Sequence, residues 1–499
     1  MRGLPLGQTE SLAVRHKSAT ACLLLFAAAA GLTAATAATP ASPTPAAEEV
    51  AAQLRDAAMA GHDVAFTWVS ELTSRFGPRL AGSANEHDAA QWAAARLKAL
   101  GFENVHIETF PIMGWVRGPE SAQLVAPSVQ PLVVAALGES PPTPAAGLEG
   151  DVVIFPNFEA LKAAAPGSLT GKIAMVAYRM VRMQDGAGYG AGFAARADGP
   201  GEAARCGAIA FLMRSLGTDN HRIAHTGTTR YVNGRVPLPS FALSNPDADQ
   251  IERIAALGQT ARVKLYSGAS YVADAHSQNV VADVRGSDKS PGVVLIGGHL
   301  DSWDQGTGAI DDGTGTAIMV AAAKLIRDLP HKPRRTVRVV LFGSEEVAQP
   351  VAPFGAFGGH SYANNHKAEL PMHVIAGESD FGADRVYRVA LPASVANSDF
   401  SREVGRVLAP IGVLMSKDPA EPETDTGPSV EAGVPAFDLM QEGKRYFDIH
   451  HTPDDTLDKI DRQQLDQNVA AWAALVWLAA DSEVDFRPHA AAAAAPQMK

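Results

Sequence analysis

The chain has 499 residues, 46% hydrophobic and 19% charged, a balance that excludes wholesale disorder and allows a large buried core. That length suggests roughly two to four domains or lobes. The formal net charge of −12 argues against nucleic acid as a partner, and the two cysteines exclude a disulfide framework.

Arg15 and Lys17 precede an apolar stretch at 19–32, and no charged residue occurs again until Glu48. The stretch is too short to span a bilayer and is followed by Ala35-Thr36-Ala37. Residues 1–38 therefore read as a secretory signal peptide, which makes the protein secreted or periplasmic with no stable membrane anchor. Cys22 lies inside the apolar run, so a lipoprotein anchor is not expected. Cleavage near Ala38 would leave Cys206 as the sole cysteine, read here as a small core residue. Residues 39–47 form a Pro/Ala/Thr linker.

From 48 to about 101 the pattern is helical. Ser83 and Glu86 form a capping box, Trp92, Leu97 and Leu100 form an apolar stripe, and Gly101 marks a helix end. Val105, Ile107 and Thr109 then alternate as in a strand. Between 115 and 271, short apolar runs recur between Gly/Pro breakers, which predicts many short strands, with helices near 201–206 and 247–257. This segment reads as a separate inserted lobe without a ligand set of its own. From about 277 to 483, the runs GVVLIGG, TVRVVLFG and MHVIAGE alternate with helices that include 313–329 and 461–481. Such alternation predicts an α/β fold, a mostly parallel sheet sandwiched by helices. The basic run at 332–335 reads as a solvated approach to a strand, and the residues from 486 as a flexible tail.

Ionisable residues follow each of the three strands: His299-Leu300-Asp301, Glu345-Glu346 and Asp380. Residues beyond the carboxyl ends of such strands are held by the sheet yet free to converge. Two turns add Asp311-Asp312-Gly313 at a helix mouth and His450-His451 before Thr452-Pro453-Asp454-Asp455. Adjacent carboxylates such as Glu345-Glu346 repel unless a cation or a proton separates them. Imidazoles and carboxylates together are the ligand chemistry of zinc, and the absence of thiolates suits a catalytic site. One His and one carboxylate per metal, with a shared carboxylate, builds a pair of ions about 3.5–4 Å apart. Asp312 also reads as a helix N-cap. His221, His225, His360, His366 and His373 lack partners at ligand spacing and read as surface or supporting residues.

GGHLDSWDQGTGAIDDGTG, FGSEE, ESD and HHTPDDT together resemble the motif series of the two-zinc exopeptidases, the family that includes bacterial aminopeptidases and carboxypeptidase Q. The resemblance covers nearly the whole mature chain. It implies two Zn2+ per chain, with His299 and Asp380 on one ion, Glu346 and His451 on the other, and Asp311 bridging both. Glu345 would be the general base, passing a proton from the attacking water to the leaving amine, and Asp301 would support the site from behind. His450 stands where some aminopeptidases have a tyrosine, although neighbours on an extended segment face opposite sides. The lobe at 115–271 resembles a protease-associated domain inserted between the two parts of the catalytic domain, 48–114 and 272–485. The stretch 347–359 is longer than the family pattern at the substrate rim. The implied activity is an exported exopeptidase on dipeptides or short peptides. An aminopeptidase on longer peptides, a glutaminyl cyclase-like transferase and a non-catalytic binding ectodomain are the alternatives, and a homodimer is left open.

Overall fold

Five strands make the main sheet, in the spatial order Glu103–Val116, Ser270–Val284, Thr336–Phe342, Val293–His299, His373–Glu378. The last three are parallel neighbours, and the first two add antiparallel pairs. The computed structural model describes residues 46–61, 63–287, 292–352 and 354–488, all within one unit, Pro45–Lys499. The signal-peptide reading, nearly all of the linker and the end of the tail lie outside the described residues. Among the described residues, no helix is long and apolar enough to cross a membrane.

The central strands are apolar on both sides because both faces are covered. Val294 and Ile296 join the large core with the helices, whereas Leu295 joins a second cluster with Val340, Phe342 and Tyr362. The alternation is the period-2 signature of a strand buried twice. The Thr314–Arg327 helix, buried along most of its length, packs against the sheet, with the Arg462–Ala480 and Asp63–Phe76 helices around it. Gly298 and Gly315 permit this approach. A Cβ on Gly298 would lie 2.6 Å from Asp312 Oδ2, and one on Gly315 would lie 2.0 Å from the Ser379 carbonyl oxygen.

The strands Glu103–Val116 and Ser270–Val284 lead into and out of a second, eight-stranded sheet built entirely from 120–267. Four of its strands run parallel, and helices Phe158–Lys162, Tyr189–Arg205 and Asn245–Ala256 accompany them. The middle helix starts at Tyr189, well before the expected 201. Gly192 and Gly199 look like breakers but serve packing: a Cβ there would lie 2.3 Å from Leu216 Cδ2 and 2.4 Å from Phe211 Cζ.

Three smaller expectations are corrected. Ser83 caps its helix as read, accepting from Glu86 N, but Glu86 Oε2 accepts from Gly82 N at 2.6 Å rather than from Ser83. Its carboxyl is buried against Ser277, which pulls it away from the Ser83 amide. The tail starts later than 486, because the Phe486 ring is buried edge-on against Phe400, centroids 5.0 Å apart. His225 and His373 are core residues, each with a defined partner: His225 Nδ1 bonds the His450 carbonyl at 2.8 Å, and His373 Nε2 the Tyr362 hydroxyl at 2.8 Å. Cys206 is a buried core residue, as read.

Candidate metal centre

The three parallel strands end level with one another, His299 pairing with Phe342 and Gly297 with Glu378, so the residues after them meet at one edge. His299 Nε2 lies 3.2 Å from Asp311 Oδ1 and 3.2 Å from Asp380 Oδ1. His451 Nε2 lies 3.2 Å from Asp311 Oδ2 and 3.0 Å from Glu346 Oε2. Asp311 thus stands between two imidazoles and turns one oxygen toward each. All five side chains are buried or nearly so.

The far side of each ring sets its tautomer. His299 Nδ1 faces the Asp301 carbonyl at 3.0 Å, and His451 Nδ1 faces the Thr226 carbonyl at 3.3 Å. A carbonyl only accepts, so each Nδ1 carries the proton and each Nε2 offers a lone pair to the site. Asp311 Oδ2 and Glu346 Oε1 are buried and accept no hydrogen bond, a state that costs about 1–3 kcal/mol or more unless a cation meets them. Burial first, then the facing Asp380 and Asp301, pushes the Glu345 carboxyl well above the usual range. Burial and Asp311 do the same to Glu346. This crowding of carboxylates around bare imidazole nitrogens is chemistry that divalent cations relieve, and His299, Asp311, Glu346, Asp380 and His451 could hold them.

Other expected residues take defined positions. Asp301 is fully buried and accepts from Glu345 N at 3.1 Å and Glu346 N at 3.3 Å, so it holds the backbone of both glutamates. Asp312 accepts from Gly315 N at 2.9 Å, the expected capping bond, and also from His299 N at 3.0 Å. His450 faces the cavity beside His451, rings stacked at 3.5 Å, with its Nε2 3.6 Å from Asp311 Oδ2. The alternation of an extended segment fails here because His451 has φ +60°.

Three contributors were missed. Asp455 accepts from Ile310 N at 2.6 Å and Asp311 N at 3.2 Å, orienting the central aspartate. It sat in HHTPDDT, so that motif offered a signal. Buried Arg79 donates to the carbonyls of Leu300, Thr307 and Gly308 at 2.6, 2.7 and 2.9 Å, tying the two ligand loops together. Nothing in the sequence around it announced this. Arg196 comes from the Tyr189–Arg205 helix, which accompanies the eight-stranded sheet. It lines a cavity of about 340 Å³ together with Tyr189, Thr228, Glu345, Glu346 and His450. Gly355 and Ala356, from the long 347–359 stretch, complete the rim.

The sequence profile of peptidase family M28 matches residues 279–476, which hold all the strand-end residues. Carboxypeptidase Q of Bos taurus is 35% identical over 412 residues, covering 83% of this chain and 84% of that protein. The chain belongs to peptidase family M28. The crystal structure of the peptidase M28 precursor of Shewanella amazonensis SB2B matches this M28 chain with a TM-score of 0.85 and 44% identity, over 89% of this chain and 98% of that one. The zinc aminopeptidase of Bacillus subtilis shares the fold at 20% identity, with a TM-score of 0.59, over 85% of this chain and 97% of that one.

Proposed function

We propose that this M28 peptidase is an exported, two-zinc exopeptidase that hydrolyses dipeptides or short peptides. The observation that carries the reading is Asp311, with one carboxylate oxygen turned to each of two imidazoles whose outer nitrogens are tied to carbonyls. In this reading His299 and Asp380 hold one ion, His451 and Glu346 the other, and Asp311 is shared. Zinc, when bound, supplies polarisation of the scissile carbonyl and a water acidic enough to be deprotonated near neutral pH. Glu345, in the same cavity, takes that proton and gives it to the departing amine. Asp301 keeps both glutamates in place through their backbone amides, and Asp455 does the same for Asp311.

The lobe supports the choice of short substrates. Tyr189, Arg196 and Thr228 line the same cavity as Glu345, Glu346 and His451, and its small size favours short substrates. Arg196 is 2% exposed, donates long bonds of 3.2 and 3.4 Å to the Thr228 and Thr226 carbonyls, reaches the Tyr189 hydroxyl, and sits over the Tyr189 and Phe193 rings. Among the described residues no carboxylate lies within ion-pair distance of it. A buried guanidinium in that state suits the free α-carboxylate of a substrate.

Hydrolysis of a free dipeptide, its N-acetyl form, its C-amide and a tripeptide tests the reading. The free dipeptide is expected to be cleaved fastest, with internal bonds of a long unstructured peptide left intact. Cleavage at such internal bonds would sink it, and indifference to the C-amide would favour an aminopeptidase. Arg196→Gln is expected to lower kcat/KM on the free dipeptide about 10- to 100-fold, the worth of charge-assisted hydrogen bonds, with far less effect on the C-amide. Equal losses on both would remove Arg196 from carboxylate recognition. For export, mass spectrometry of protein recovered outside the cytoplasm is expected to lack residues 19–32. An intact Met1 there would overturn the signal peptide.

A further inference from the structure

A second group of metal-ligand side chains lies outside the catalytic cavity. His106 and Glu108 sit two residues apart on the edge strand Glu103–Val116 and so project from one face of it. His366 caps the end of the Phe357–Asn365 helix and reaches the same spot. His366 Nε2 is 2.7 Å from Glu108 Oε1, and His106 Nε2 is 3.2 Å from that same oxygen.

The outer nitrogens are occupied as well. His106 Nδ1 lies 2.7 Å from the carbonyl of Asn104, which is presented by a residue at φ +53° whose side chain is anchored on Asp283. His366 Nδ1 lies 3.4 Å from Glu369 Oε2, and the other side of that carboxylate is held by Arg338 at 3.0 Å. A carbonyl and a carboxylate both accept, so each Nδ1 is the natural seat of the ring proton. Each Nε2 then points at the Glu108 carboxylate, and either a second ring proton or a cation must lie between them. Two imidazoles fixed from behind by a carbonyl and a carboxylate, both facing a third ligand, form the outer-shell pattern of a zinc site. The side chains are 39%, 12% and 11% exposed for His106, Glu108 and His366, which leaves one open side for solvent ligands and for entry.

We propose that His106 Nε2, Glu108 and His366 Nε2 bind a further zinc-type divalent cation, separate from the catalytic centre. The ion would clamp the edge strand to the end of the 357–365 helix. Because it binds the folded chain only, it stabilises the fold in proportion to its concentration over its Kd.

The test is zinc content and Tm of the full-length enzyme, stripped with chelator and then reloaded with excess zinc and desalted. His106→Gln and His366→Gln are measured beside the wild type. The wild type is expected to hold one zinc per chain more than either variant and to gain more Tm on reloading, while all three hydrolyse the same dipeptide at comparable rates. His106 is partly exposed, so its variant stays informative if the His366 change perturbs folding. Identical zinc content in the wild type and His106→Gln, with identical Tm gains, would overturn the site. The three residues would then be a proton-linked ion pair.

Discussion

Glu345→Gln is expected to lower kcat by about 100- to 10,000-fold while zinc content stays at the wild-type value, the span that general-base catalysis provides. The side chain lines the cavity, yet it belongs to none of the described groups whose donor atoms lie close enough to share an ion. Its place is kept through its own backbone amide, which donates to Asp301 at 3.1 Å, and that bond survives the substitution. Glutamine preserves size and hydrogen bonding but cannot accept a proton from water and return it to an amine. Kinetics on a free dipeptide, with metal analysis on the same sample, decide the matter. Wild-type turnover in the variant would remove Glu345 from the proton path, and a loss of zinc would make it a ligand instead.

Asp311→Asn is expected to have the larger effect on composition: zinc falls below the wild-type content, and activity falls with it. The two oxygens of Asp311 face His299 and His451 at 3.2 Å each. An amide keeps one oxygen, presents N–H groups to the other imidazole and carries no charge to balance two dications. Asp312→Asn is the control. Its oxygens accept from His299 N and Gly315 N, so the change costs about 1–3 kcal/mol of stability through one lost buried acceptor yet spares the metal ligands. Unchanged zinc in Asp311→Asn, or equal zinc loss in both variants, would contradict a shared carboxylate.

What the sequence determined by itself follows from local chemistry. The runs ending at His299, Phe342 and Glu378 are apolar enough to be strands buried on both faces, and the ionisable residues that follow them collect beyond their ends. That is why His299, Asp301, Glu345, Glu346 and Asp380 could be read in place. Helix limits such as Asp461 before Arg462–Ala480 were legible too, because Asp461 accepts from the amides of Gln463 and Gln464. The Tyr189–Arg205 helix was truncated in the reading, since its glycines answer to Leu216 and Phe211, which local pattern does not reveal.

Tertiary structure decided the rest, because the deciding contacts join residues distant in sequence. The direction of His450 depends on the positive φ of His451. Arg79 finds its carbonyls more than two hundred residues away, and Arg196 enters the cavity from the Tyr189–Arg205 helix. His366, which looked isolated, meets Glu108 across 258 positions. Periodicity and turn chemistry act over a few residues and can be read directly. The cost or gain of pairing buried charges appears only when packing brings them together, and there only the folded chain says which imidazole faces which carboxylate.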